Sequence, residues 1–191
     1  DIGLKVYTPI VENMPSGSAI RPGDILSMRN GKSIEVMNTD AEGRLIMADA
    51  LAYASESKPD IICDVATLTG AAYVALGVEI GAVFSNNKVT LDSFLNSNSN
   101  GFENYHSLPM EQSYKSQIKS NIADMKNSGG RFGGAITAAL LLEEFVDDLN
   151  WIHLDIAGPA RSRSSNSIYP EGGTGFGVLG YFNFITNEAK G

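Results

Sequence analysis

The sequence predicts an α/β fold, in which strands and helices alternate and pack in layers around a core. Continuous apolar runs such as Ile61-Ile62-Cys63-Asp64-Val65 suit a buried strand. Apolar residues at helical spacing, such as Leu45, Ala48, Leu51 and Ala52, suit the inward face of a helix. The two kinds of run alternate over 191 residues, without an internal repeat or a linker that would split the chain. That length suits one domain of about 100–200 residues.

In order, Gly3 to Val11 is β-branched and apolar and reads as a strand, followed by a Pro-, Gly- and Ser-rich loop from Glu12 to Gly23. Ile25–Met28 and Ser33–Val36 flank Arg29-Asn30-Gly31-Lys32, and Asn-Gly between short apolar runs signals a hairpin. A helix is expected from Arg44 to Ser57, closed by Pro59. After the strand at Ile61–Val65 come a turn at Ala66–Gly70, a short helix at Ala71–Gly77 and a strand at Glu79–Phe84. Asp92–Gly101 reads as a helix end with an exposed loop, and Glu111–Ser120 as a polar, exposed helix. A glycine-rich loop, Ser128 to Gly134, leads into a strong helix at Ala135–Val146. Trp151–Ile156 alternates like a strand, Ala160–Gly173 is a polar loop, and Phe176–Asn187 is a closing helix.

Composition narrows the function classes. With 43% apolar and 19% charged residues, the chain is an ordinary soluble globular protein, neither disordered nor collagenous. No apolar run is long enough for a transmembrane helix. There are 14 basic and 22 acidic residues, a net charge of −8, and no basic cluster. Nucleic acid and anionic membranes are therefore poor partners. The single cysteine, Cys63, can form neither an internal disulfide nor a Cys-based zinc site, and points to a reducing compartment. With only His106 and His153 available, any metal must lean on carboxylates. A start at Asp1, without a leader-like segment, implies that upstream sequence has been removed.

The densest chemistry is Asn38-Thr39-Asp40-Ala41-Glu42-Gly43-Arg44. Two carboxylates two residues apart in non-helical backbone can face one hard divalent cation, and an arginine just beyond can bind an anion beside it. The same letters also fit a capping box, with Thr39 as N-cap and Glu42 reaching back, and on spacing alone that takes precedence. The glycine-rich loop before Ala135 could cradle an anion at a helix N-terminus, but it lacks the Lys-Ser/Thr ending of a P-loop. Close helix packing is the favoured role of its glycines. Gly175-Phe176-Gly177-Val178-Leu179-Gly180 spells G-x-G-x-x-G, but no strand precedes it directly and no acid follows at the required distance. His153 and Asp155 share a strand face with Trp151 and fit either an acid–base pair or, with more weight, a structural pair.

The octapeptide Asn38-Thr39-Asp40-Ala41-Glu42-Gly43-Arg44-Leu45 resembles the signature of the leucyl (cytosol) aminopeptidases, dinuclear-metal exopeptidases. Four other blocks agree, in order. They are Glu12–Ala19 with Pro22-Gly23-Asp24, Asp64–Ala71, Gly129–Ala139 and His153–Gly158. The resemblance covers nearly the whole chain and reverses the weighing of the two carboxylates.

It implies a three-layer α/β/α sandwich with a mixed sheet, the chain being the C-terminal part of the catalytic domain. It implies that Asp40 and Glu42 ligate metal, with Glu42 bridging two divalent ions (Zn, Mn or Mg). It implies that Arg44 is the catalytic arginine, holding a bicarbonate that serves as general base. Thr67, Gly70, Ala157 and Ala160 match positions lining the pocket for the first side chain, and the backbone of Leu68 matches a substrate hydrogen-bond site. Peptides are the implied substrates, a homo-hexamer the implied assembly, and the cytoplasm the implied location.

The family's metal centre also uses a lysine and two aspartates from stretches resembling V-G-K-G-x-x-F-D-S-G-G and M-K-x-D-M, together with a second, catalytic lysine. None of these occurs in this sequence. The 191 residues alone are therefore expected to be inactive and metal-free. The alternative is a non-catalytic assembly or binding module derived from the family.

Overall fold

Asn30-Gly31 makes the turn expected of it. In the computed structural model, which describes residues 2–165 and 168–190, Gly31 takes φ +86°, a left-handed value suited to glycine. The first half of the chain contains β1 (Ile25–Ser27), β2 (Ser33–Glu35), α1 (Glu42–Ser55), β3 (Ile61–Ala66), α2 (Gly70–Leu76), β4 (Ile80–Ser85) and α3 (Lys88–Ser97). Then follow β5 (Asn104–Ser107), β6 (Met125–Lys126), α4 (Gly134–Glu143), β7 (Asn150–Asp155), β8 (Arg161–Ser162), β9 (Gly172–Gly173) and α5 (Val178–Glu188). They fall into two compact units. Lys5–Ile62 and Met110–Asn150 form the hairpin unit; Cys63–Pro109 and Trp151–Gly191, with the first four residues, form the sheet unit. Because these segments interleave along the chain, no single linker marks the division in sequence.

In the hairpin unit, β1 pairs antiparallel with β2, Ser27 opposite Ser33, and β2 pairs parallel with β6, Ile34 opposite Met125. α1 buries Leu45, Ala48, Leu51 and Ala52, the face expected from sequence. It ends before Pro59 is reached, as the chain turns through Lys58 at φ +47°. α4 is buried from Thr137 through Leu142, which is why its sequence is apolar all round rather than on one stripe. A 3-10 turn, Gln112–Ile118, stands where an exposed helix is expected. The glycines before α4 serve packing: Gly133 takes φ +66°, and a Cβ there would lie 2.9 Å from the Tyr114 ring.

In the sheet unit the strand order is β3-β7-β4-β5, with β4 parallel to β5 and antiparallel to β7. The sheet is mixed, and the α/β class holds. The central strands are buried on both faces: Ala82, Val83 and Phe84 on β4, and every residue from Trp151 to Asp155 on β7. β3 is an outer strand, so its apolar run is only half-buried, with Ile62 the one buried residue.

Two further sequence expectations change. Residues 3–11 are exposed and form no strand, because an apolar β-branched run becomes a strand only where a ladder partner exists. The polar loop from Ala160 to Gly173 carries a two-residue ribbon, Arg161 opposite Gly173; its Asn166 and Ser167 lie outside the described residues.

The G-x-G-x-x-G string opens α5, and its anion is part of the protein. Glu103, 4% exposed, accepts hydrogen bonds from the Gly177 N–H (2.8 Å), the Gly180 N–H (2.6 Å) and the Tyr105 hydroxyl (2.6 Å). A carboxylate there satisfies orphan donors and complements the positive end of the helix.

Candidate active site

The acidic heptad sits where β2 leaves its ladder and α1 begins. Asn38 caps a 3-10 turn, Thr39–Ala41, its side chain accepting from the Asp40 N–H at 3.0 Å. α1 then starts at Glu42, with Ala41 at its N-cap and no side-chain cap bond. The capping box therefore does not form. The 3-10 turn places Thr39 three residues before the helix instead of at its cap, and Glu42 becomes the first helical residue. Asp40 is exposed and Glu42 half-buried, and neither carboxylate has a hydrogen-bond or ion-pair partner among the described residues. Two hard oxygen donors are thus left for a ligand at the helix start.

One buried residue, Asn127, holds this turn from the position just after β6. Its Oδ1 accepts from the Met37 N–H (2.8 Å) and the Asn38 N–H (3.2 Å), and its Nδ2 donates to the Asn38 carbonyl (2.7 Å). Its own carbonyl accepts from Arg44 Nη1 at 2.8 Å. One residue thus holds the entry to the acidic turn through its side-chain amide and an Arg44 donor through its backbone carbonyl. Sequence reasoning missed Asn127; its only mark is its place just before the glycine-rich loop, and its partners lie more than 80 residues away.

The other expected site residues lie in the sheet unit, on two turns at the ends of β3 and β7. Thr67, Leu68 and Gly70 follow β3; Ala157 and Ala160 follow β7. The Ile156 N–H donates to the Ala66 carbonyl (2.8 Å), joining the strand ends. Asp155, 1% exposed, ties the turns together. Its Oδ1 accepts from the N–H groups of Leu68 (3.1 Å), Thr69 (3.3 Å) and Ala157 (3.2 Å), and its Oδ2 from the Thr69 hydroxyl (2.6 Å). Thr69 Oγ1 in turn accepts from the Ala72 N–H at 3.0 Å and caps α2. At Gly158 the turn after β7 meets the end of α2 backbone to backbone, since a Cβ there would lie 2.0 Å from the Gly77 carbonyl oxygen.

His153 does not pair with Asp155. Its Nδ1 meets Asp64 Oδ1 at 2.5 Å, and the other oxygen of Asp64 accepts from Trp151 Nε1 at 2.6 Å. The Trp151 and His153 rings stack, with centroids 5.9 Å apart. Burial disfavours the imidazolium, but the charge and hydrogen bond of Asp64, with the charge of Asp155, outweigh it and raise the His153 pKa above its ordinary value. The expected His153–Asp155 pair therefore does not form, and each of the two residues has its own partners.

Donor chemistry at Asp40 and Glu42 fits a hard divalent ion, but donor number does not. Among the described residues no three His, Cys, Asp or Glu side chains gather as a metal site. Two carboxylates cannot close a dinuclear centre.

The fold defines the class, an α/β domain built on a mixed sheet. The chain belongs to the cytosol aminopeptidase family, whose catalytic-domain sequence model matches residues 1–180. A probable cytosol aminopeptidase of Syntrophotalea carbinolica is 51% identical over 187 residues, covering 98% of this chain. One of Prochlorococcus marinus subsp. pastoris is 48% identical over 189 residues, covering 97% of this chain. The chain spans 38% of the length of each. A solved mutant of tomato leucine aminopeptidase matches with a TM-score of 0.86 at 45% identity, over 91% of this chain and 34% of that one. No helix among the described residues is long and apolar enough to cross a membrane.

Proposed function

We propose that this chain supplies part of the active site of a metal-dependent aminopeptidase, which releases N-terminal residues, leucine by preference, from peptides. The observation that carries the proposal is the start of α1, where Asp40 and Glu42 take no part in capping and Arg44 stands on the next residues, held by Asn127. Asp40 and Glu42 are assigned as residues that would hold divalent metal (Zn, Mn or Mg), which would supply Lewis-acid polarisation of a carbonyl when bound. Arg44 is assigned as the residue that would hold an anion, bicarbonate, which would supply a general base when bound; a guanidinium suits anion binding through its fixed fork of donors.

Thr67, Gly70, Ala157 and Ala160 are assigned to the pocket for the first side chain. Small residues at these positions leave room for a leucine-sized group. Leu68 spends its N–H on Asp155, which leaves its carbonyl to accept from a substrate N–H. The remaining metal ligands and the catalytic lysine are assigned outside these 191 residues. A homo-hexamer in the cytoplasm is the assembly and location proposed.

The test compares two proteins on leucyl-p-nitroanilide with Mn²⁺ or Zn²⁺. The full gene product is expected to turn over, and the 191 residues alone are not. Hydrolysis by the 191 residues alone would overturn the assignment of ligands elsewhere. An inert full gene product would favour the non-catalytic module.

A further inference from the structure

We propose that Asp155 is a positioning residue for the pocket that receives the substrate's first side chain. The inference rests on the aminopeptidase assignment and adds to it a residue that contributes no atom to that pocket. One buried carboxylate is the common acceptor for both turns on which the pocket residues stand. Three N–H groups converge on Oδ1, from Leu68, Thr69 and Ala157, and the Thr69 hydroxyl donates to Oδ2. The two turns belong to segments far apart in sequence, and the shared carboxylate sets the spacing between Thr67–Gly70 on one side and Ala157–Ala160 on the other.

The chemistry of the acceptor explains why an acid stands here. Four donors need an acceptor-only group with lone pairs on both oxygens, which an ionised carboxylate provides and no neutral side chain does. Burial adds rigidity, because with Asp155 1% exposed no bulk water competes for these donors. The Thr69 N–H, once bound, fixes the orientation of the peptide plane it shares with the Leu68 carbonyl assigned to the substrate. Asp155 thus sets both the width of the pocket and the aim of that carbonyl.

The conservative replacement is informative. In Asp155→Asn the amide oxygen can keep the three N–H bonds, while its NH₂ faces Thr69 Oγ1, which can rotate to accept. Asp155→Ala removes every bond and leaves four donors unmatched. The experiment measures kcat and KM of the full gene product, loaded with Mn²⁺, on leucyl- and alanyl-p-nitroanilide. For Asp155→Ala the leucyl KM is expected to rise, and the leucyl-over-alanyl ratio of kcat/KM to fall by about tenfold. Asp155→Asn is expected to recover most of that ratio.

If Asp155→Ala does not fold, Thr69→Val, which deletes only the Oδ2 bond and the α2 cap, is expected to lower the same ratio by a smaller factor. Equal losses of kcat on both substrates with KM unchanged would mean a merely structural role and overturn the proposal. So would variants indistinguishable from an active wild type. A wild type inert on both substrates would instead overturn the aminopeptidase assignment, and this inference with it.

Discussion

Replacing Glu103 with alanine should be among the most destabilising single changes in the sheet unit. The carboxylate satisfies two backbone N–H groups in the opening turn of α5, at 2.8 and 2.6 Å, and the Tyr105 hydroxyl at 2.6 Å. Alanine leaves all three without their acceptor. A buried donor left unsatisfied costs about 1–3 kcal/mol. Loss of a helix cap with its dipole interaction costs about 1–2 kcal/mol, and overlaps with the first cost because the same N–H groups are involved.

Tyr105 is only part-buried and its hydroxyl can turn to water, so the two glycine N–H groups carry most of the loss. The expected cost is about 3 kcal/mol, a large share of a total stability of about 5–15 kcal/mol. Urea denaturation of the 191-residue chain, followed by the fluorescence of Trp151, its sole tryptophan, measures the effect. A shift of less than about 1 kcal/mol at unchanged m-value would show that Glu103 is not the anion that holds α5.

Two further outcomes follow from the same unit. Gly158→Ala should cost about 3 kcal/mol or fail to fold, because its Cβ would stand 2.0 Å from the Gly77 carbonyl and only backbone can move to relieve it; a variant melting with the wild type would refute that contact. The raised pKa of His153 means that the folded state holds this proton more tightly than the unfolded one. Its contribution to stability is full below the ordinary histidine value near 6.5 and is lost as pH rises through the raised folded value. Urea midpoints of the wild type should therefore fall from mildly acidic to alkaline pH, and Asp64→Asn should flatten that fall; parallel pH curves for the two proteins would contradict it.

Much of this fold is legible in the sequence where the signal is local. Asn30-Gly31 specifies its own turn, and Leu45, Ala48, Leu51 and Ala52 mark the buried face of α1 by period alone. β4 reads as a nearly continuous apolar run, as a strand buried on both faces should, and β7 is legible by its alternation. What was not legible is what depends on a distant partner. Residues 3–11 have the composition of a strand but no ladder to join, while β5 and β6 are too short to show a period.

At the candidate site, Asp40, Glu42 and Arg44 stand together in one octapeptide, while Asn127 carries no local mark, because its hydrogen bonds span more than 80 residues. His153 and Asp155 were visible as two neighbours on one strand face. Their separate tasks appear only when Asp64 and the turns after β3 and β7 are in place.

The central claim is that the start of α1 contributes ligands to a catalytic metal centre, and Glu42→Gln tests it most directly. The substitution keeps size and helix propensity and removes one charge that no other described residue uses. Mn²⁺ or Zn²⁺ binding by calorimetry and leucyl-p-nitroanilide turnover would be measured on the full gene product, wild type and variant, with circular dichroism as the check on folding. The expected result is a folded variant with weakened metal binding and turnover down by at least about a hundredfold. A folded variant that binds metal and turns over like the wild type would contradict the claim.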